Sequence, residues 1–233
     1  MSYQDSVGLE RELYTFPEVD RILGLTPGTG QRWINGYERR GTWYDPVVRT
    51  RSQDPMDLVT WGEFVETFYL ARFRNEGIPL AKLRRIVMAV RERTEQHYLF
   101  SHDNTSLRAS PAIKEVIHEV QITEDFPTFL VKRTGQMILL REGARERLEL
   151  IEYRRGVAVA LQPRIGLPSI AVAGARFFGK PKVRGTGISP IALAGPVMSG
   201  TPLEKVAQIY EVSPRVIHES GKFVYGRHWR VAA

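Results

Sequence analysis

Cysteine is absent from all 233 residues. Its absence removes disulfide bonds, thiolate metal ligands and thiol nucleophiles together, and makes a reducing cytoplasm the expected setting. Long apolar runs are missing too. No stretch approaches the ~20 residues that span a bilayer. The opening MSYQDSVGLE has neither the basic region nor the apolar core of a secretion signal. No membrane partner is expected. Acidic residues are the scarcer charge, 26 against 33 lysines and arginines, so the chain carries +7 with a pI near 9.8. That balance favours a polyanionic partner. A hydrophobic share of 42% still provides for a packed core, in one large domain or two to three small ones.

Signatures of enzymes are also lacking. The PGTG of residues 27–30 has no following lysine and Ser/Thr, which a P-loop needs to hold terminal phosphates and magnesium. A second GTG, Gly185 to Gly187, follows no clear strand and has no third glycine. The histidines at 97, 102, 118, 218 and 228 are scattered, and none pairs with an acidic residue on one helix face as a metal site requires. No serine stands in a nucleophile elbow, and Glu115 with Glu119 reads as a solvated helix face. No catalytic residue, metal or cofactor is expected, and the chain is read as a non-enzyme.

What is present is helical punctuation. Thr15 to Asn35 reads as two short helices around a tight turn, with Val19, Ile22 and Leu23 on one face. Gly24 suits a C-terminal cap, Thr26 an N-cap, and Pro27 a first helical position. Trp33 and Ile34 point the second helix back at the first. From Tyr37 to Arg51 the pattern predicts a hairpin, turning at Gly41 and Asp45-Pro46, with Val47-Val48 in a strand. TWGE, Thr60 to Glu63, is a capping box opening an amphipathic helix that Gly77 ends. Its Phe64, Phe68, Tyr69 and Phe73 fit a helix core better than a base-stacking platform. Pro79 starts another helix, with Leu83, Ile86, Val87 and Val90 inward and Arg84, Arg85, Arg91 and Arg93 elsewhere.

Beyond a polar boundary at Phe100 to Pro111, Thr128 to Leu140 predicts a hairpin turning at Thr134-Gly135. ARERLELIEYRR is open between helix and strand, and GVAVALQP is a strand. Three helices follow, near Ile191 to Met198, after Thr201-Pro202 and after Ser213-Pro214. The last two echo the N-terminal device, LGLTPGTGQ being answered by YEVSPRVIH.

FPEVDRILGLTPGTGQRWI, the basic hairpin and LVTWGEFVETFYLARFRNEGIPLAKLRRI together resemble the MerR-type winged helix-turn-helix over about Tyr14 to Arg93. The resemblance implies that the second helix enters the major groove and the wing grips the flanking backbone. It places Thr29, Gln31 and Arg32 on the leading part of the recognition helix and Arg39, Arg40, Arg49 and Arg51 in the wing. The sequence departs at Gly30, where the family usually has an apolar anchor. RFFGKPKVRGTGISPIALAGPVMSGTPLEKVAQIYEVSPRVIHES resembles a small helical domain common in antitoxins encoded beside PIN-domain ribonucleases. Here the departure is Gly187, where arginine is usual. The two-part layout resembles a VapB-type antitoxin.

The expected architecture is α+β, mainly α: a winged helix-turn-helix domain at 10–98, a β-containing connector at 99–170 and a helical domain for dimerisation and toxin binding at 171–233. Double-stranded operator DNA, a PIN-domain ribonuclease toxin and a second copy are the expected partners. The homodimer would form through Ile191, Leu193, Val197, Leu203, Val206 and Ile209. Arg227, Trp229 and Arg230 near the C-terminus are the expected toxin contacts, the indole filling an apolar pocket while an arginine pairs with carboxylates. Two other readings stay open: a ligand-responsive transcription factor without a toxin, and a protein-interaction module whose winged helix no longer binds DNA.

Overall fold

The computed structural model describes residues 8–50, 58–75, 77–94, 97–102, 129–130, 137–138 and 150–230. Helices and sheets are both present, so the class is α+β. Two compact units divide the chain, Met1–Ala158 and Val159–Ala233.

The first unit opens with β1 (Glu12–Tyr14), then α1 (Phe16–Leu23) and α2 (Thr29–Asn35). Next come β2 (Tyr37–Arg39), β3 (Thr42–Tyr44) and β4 (Val59–Thr60), and then α3 (Trp61–Asn75) and α4 (Leu80–Thr94). Two of these helices begin where a side chain satisfies an N–H group at the start. At α1 the Glu18 carboxylate accepts the Thr15 N–H at 3.0 Å, and Gly24 closes the helix with φ +71°. At α3 the capping box forms as its residues predict: Glu63 Oε2 accepts the Thr60 N–H at 3.0 Å, and Thr60 Oγ1 accepts the Glu63 N–H at 3.1 Å. Past Gly77, Pro79 leads into α4, whose Leu83, Ile86 and Val87 are buried. Val90 and Arg93 lie within α4, but their side chains are outside the described residues.

The aromatic stripe of α3 is core. Phe64, Phe68 and Phe73 are buried, and Phe64 stacks on Tyr14 and Trp61. Burying each such side chain stabilises by roughly 1.5–3 kcal/mol. Tyr69 is half-buried, its hydroxyl 2.8 Å from that of Tyr153. Two short strands, β5 (Phe129–Leu130) and β6 (Met137–Ile138), pair antiparallel within the expected middle hairpin, whose turn at Thr134-Gly135 lies outside the described residues. Most of the expected boundary from Phe100 to Pro111 lies outside them also. Then β7 (Ile151–Arg154) turns through Arg155 and Gly156, φ +51° and +79°, into β8 (Val157–Leu161). The strand expected in GVAVALQP is β8, and β7 settles the IEYRR end of the preceding segment as strand.

In the second unit the end of β8 pairs with β9 (Ile170–Ala173), and β9 with β10 (Lys182–Val183), both antiparallel. The helices are α5 (Pro190–Met198), α6 (Leu203–Tyr210) and α7 (Pro214–Tyr225). Leu193 of α5, Val206 of α6 and Ile217 of α7 form their common core. The echo seen in sequence is a repeated bend. After α1, Leu25 N–H returns to Asp20 O at 2.8 Å; after α6, Val212 N–H returns to Ala207 O at 3.0 Å, with Glu211 at φ +53° standing where Gly24 stands. The N-cap of α6 is Pro202, with no side-chain cap bond, and its carbonyl accepts the first helical bond from the Val206 N–H.

Glu219 fastens α7 to the sheet's approach. Its carboxylate accepts the Ser169 N–H at 2.7 Å and pairs with Arg215 Nε at 2.8 Å. Burial alone would raise its pKa, but the Ser169 N–H and then the Arg215 guanidinium hold it below the usual carboxylate value. A depressed folded pKa gives stability that is complete above the unfolded value, ~4.3, and is lost as pH falls through the folded value. Glu219→Gln is therefore expected to lower the melting temperature at pH 7 and to flatten its fall below about pH 4. Thermal melts of both proteins from pH 3 to 7 check this.

Candidate nucleic-acid interface

The turn between α1 and α2 is built on one carboxylate. Asp20, on the last turn of α1, is buried, 4% exposed; its Oδ2 accepts the Gly28 N–H at 2.6 Å and its Oδ1 the Gly30 N–H at 2.7 Å. These charge-assisted bonds do the work expected of the Thr26 hydroxyl, so α2 starts at Thr29 rather than at Pro27. Gly28 takes φ +79°, a left-handed conformation that glycine adopts without strain. At Gly30 a Cβ would stand 3.0 Å from Asp20 Oδ1 and 3.3 Å from Val19 Cγ1. The unusual glycine is thus the close-approach point of the two helices. The loop that looks like a phosphate cradle already holds an anion, and that anion is Asp20.

With the turn fixed, Trp33 and Ile34 face inward while Gln31 and Arg32 are exposed. Thr29 is half-buried and its Oγ1 accepts a bond from Arg32 Nη2 at 3.2 Å. The hairpin β2–β3 follows, with Arg39 opposite Thr42 and Tyr37 stacked on Tyr44 at 4.9 Å. Its two turn residues, Arg40 and Gly41, both have positive φ, +53° and +74°, which matches the natural twist of a two-residue hairpin. Arg39 and Arg40 are exposed at the tip. So is Trp43, at 54%, a residue that the sequence pattern does not single out.

The hairpin ends at Tyr44, and Val47-Val48 is not a strand. It is a buried loop whose two N–H groups donate to Trp33 O at 2.9 and 3.1 Å. Its carbonyls are taken by Arg91 of α4, Nη1 to Val47 O at 2.7 Å and Nη2 to Val48 O at 2.8 Å. Arg84 Nε donates to Asp45 O at 3.0 Å. Two arginines that the sequence places off the buried stripe of α4 brace the hairpin's exit.

Arg49 requires a correction. Its side chain is fully buried and forms a two-pronged pair with Glu63, Nε–Oε1 2.6 Å and Nη2–Oε2 2.9 Å, with Nη2 also donating to Leu58 O. A guanidinium spent on the core is not available to a phosphate. Arg51 lies outside the described residues. Of the expected DNA contacts, Gln31, Arg32, Arg39 and Arg40 are exposed on α2 and its adjoining hairpin.

In the second unit, Trp229 is not an extended anchor. Its indole lies over Gly221 of α7, where not even a methyl group would fit, and it stacks with Tyr225 and points Nε1–H at His218 Nδ1, 3.3 Å away. Arg227 and Arg230 beside it remain exposed. The apolar face expected at the dimer contact is smaller than the sequence implies. Leu193, Val197, Leu203 and Val206 are buried within the unit, leaving Ile191 and Ile209 at 50% and 62% exposure. More conspicuous is the β9–β10 connection, where Phe177 and Phe178 are 46% and 74% exposed. Both hold left-handed backbones, φ +52° and +51°, at a cost of roughly 1–2 kcal/mol per residue.

Comparison with known proteins places the chain. It is 33% identical to the Mycobacterium tuberculosis protein named "Uncharacterized protein Rv2308", over 96% of this chain and 94% of that one. The chain belongs to the Rv2308 family. A second protein of the same organism, named "Putative antitoxin VapB45", is 24% identical over 89% of this chain and 92% of its own length. The crystal structure of Rv2018 from M. tuberculosis shares the fold, with a TM-score of 0.64 over 91% of this chain and 98% of that one, at 18% identity. No family model matches the sequence. Among the described residues no helix is long and apolar enough to cross a membrane.

Asp20→Asn replaces an acceptor by an amide N–H facing a backbone N–H, and is expected to cost about 1–3 kcal/mol. Arg49→Ala strands the Glu63 carboxylate and is expected to cost about 3–5 kcal/mol. Arg40→Ala, on the exposed tip, should stay within ~0.5 kcal/mol of the parent. Urea titrations of the three variants give the ranking.

Proposed function

We propose that this chain is a DNA-binding antitoxin: it represses its own operon and neutralises a PIN-domain ribonuclease encoded beside it. The observation that carries the antitoxin half is the near full-length match to the protein named "Putative antitoxin VapB45". The DNA-binding half rests on the N-terminal unit. There α1 and α2 act as a helix-turn-helix, with α2 in the major groove and the β2–β3 hairpin as the wing on the flanking backbone. Gln31 and Arg32 are the base-reading side chains, because both are exposed on a helix whose start is pinned by Asp20. Glutamine can pair with adenine, and arginine with guanine, through two parallel hydrogen bonds each. Arg39 and Arg40 hold phosphates, which supplies affinity without sequence preference. A homodimer reads two half-sites related by two-fold symmetry.

Binding to the chain's own upstream duplex should fall with salt at a log–log slope of roughly −0.9 per phosphate contact. Arg40→Ala is expected to reduce that slope by about one and weaken all duplexes alike, whereas Gln31→Ala should narrow the preference for the upstream duplex over random DNA. Fluorescence anisotropy across a salt series measures both. Equal affinity for upstream and random duplex in the parent protein contradicts the repressor reading.

A further inference from the structure

Two hairpins carry the same three residues at their tips, Arg-Arg-Gly, at 39–41 in β2–β3 and at 154–156 in β7–β8. Both tips belong to the first unit. Each chain reverses through the last two of the three residues in one backbone conformation: Arg40 and Gly41 have φ +53° and +74°, Arg155 and Gly156 have +51° and +79°. A two-residue hairpin turn of this kind needs positive φ at both positions, and asparagine, aspartate or glycine fill the first with least strain. Arginine stands there twice instead. Strained backbone concentrates where the side chain it presents has a use. At the first tip that use is the proposed grip on DNA phosphate.

The second tip stands on a firm base. Trp61 of α3, 2% exposed, donates its Nε1–H to Ala158 O at 2.7 Å, and the Ala158 N–H donates to Ser101 O at 2.8 Å. On the other strand, the Tyr153 hydroxyl donates to Phe100 O at 2.9 Å and meets the Tyr69 hydroxyl at 2.8 Å. Arg154 is exposed but paired with Glu152, Nε to Oε1 2.8 Å. Arg155 is exposed and pairs with no carboxylate among the described residues. The first hairpin is tied to the same turn of α3, since Glu63, which holds Arg49 at that hairpin's exit, lies two residues beyond Trp61. Charge points to the same kind of partner. The stretch between Glu152 and Glu204 holds seven lysines and arginines and no acidic residue. It accounts for the chain's whole net charge of +7, and elsewhere the two signs balance. Attraction to a polyanion is therefore not explained by the helix-turn-helix region alone. Arg155 stands at the head of the run that supplies the excess.

We infer that the β7–β8 tip is a second grip on the same duplex, Arg155 meeting a backbone phosphate separate from those held by Arg39 and Arg40. The inference rests on the DNA-binding reading of the first unit and adds to it a contact that lies outside the helix-turn-helix and its hairpin.

The test uses the full chain and its own upstream duplex in a salt series read by fluorescence anisotropy, as parent, Arg155→Asn, Arg155→Lys and Arg40→Asn. Asparagine suits the left-handed position, so Arg155→Asn should melt no lower than the parent, while its log–log salt slope becomes shallower by about 0.9, the loss of one phosphate contact. Arg155→Lys keeps the charge and should keep the slope. The double variant Arg40→Asn/Arg155→Asn should lose about twice as much slope as either alone. A parental slope in Arg155→Asn, or a lower melting temperature, overturns the inference; a shallower slope in Arg40→Asn within the same series then leaves the DNA-binding reading standing. If the parent itself binds no duplex, both fall together. Parental duplex binding by Arg155→Asn, with loss of the adjacent reading frame's product in co-purification, would make the occupant a protein and contradict the inference.

Discussion

The Asp20 carboxylate fixes the geometry on which the N-terminal unit's exposed surface depends. An anion set against two backbone N–H groups at the start of α2 does three things with one side chain. It satisfies donors that no helix can satisfy internally, places negative charge at the positive end of the helix dipole, and holds α1 to α2 at a close approach where a Cβ on residue 30 would crowd Asp20 and Val19. A seven-residue helix has no independent stability in water, so its orientation is inherited from such contacts. Gln31 and Arg32 are held in place by it. The glycine that weakens helix propensity by about 1 kcal/mol relative to alanine thereby makes room for the contact that orients the helix.

Arginine chemistry divides along the same line. Arg49, Arg84 and Arg91 spend their donors on Glu63, Leu58 and the carbonyls of the loop after the hairpin. Arg32, Arg39 and Arg40 keep theirs at the surface, Arg32 sharing one with Thr29. A chain of charge +7 therefore does not offer all its cations to a polyanion. The buried Arg49–Glu63 pair joins the hairpin's exit to the first turn of α3, and the same Glu63 caps that helix. Removing either partner would disturb two elements at once.

Local signals with a short range were legible in the sequence: the TWGE box, Gly24 as a left-handed cap, the turn at Gly41, the core stripe of α3 and the strand in GVAVALQP. Signals that depend on a distant partner were not. Thr26 looks like an N-cap only while Asp20, part of another helix, is ignored. Val47-Val48 has strand residues, but its N–H groups find Trp33 O and its carbonyls find Arg91, so no second strand is needed. Arg49 reads as a wing cation because burial of an arginine is decided by where its carboxylate lies, fourteen positions on. Trp229 reads as a toxin contact that fills an apolar pocket because nothing local marks Gly221 as its seat. The turn at Phe177-Phe178 is not legible either, since positive φ at a non-glycine residue has no sequence signature.

In the proposed function the N-terminal unit meets duplex DNA through α2 and the β2–β3 hairpin. Hydrogen exchange of the full chain, with and without its own upstream duplex, tests this directly. Added protection is expected to concentrate between Gly28 and Tyr44, with the second unit little changed. Protection confined to residues 159–230, or none in the 28–44 segment under conditions where the duplex is bound, would contradict it.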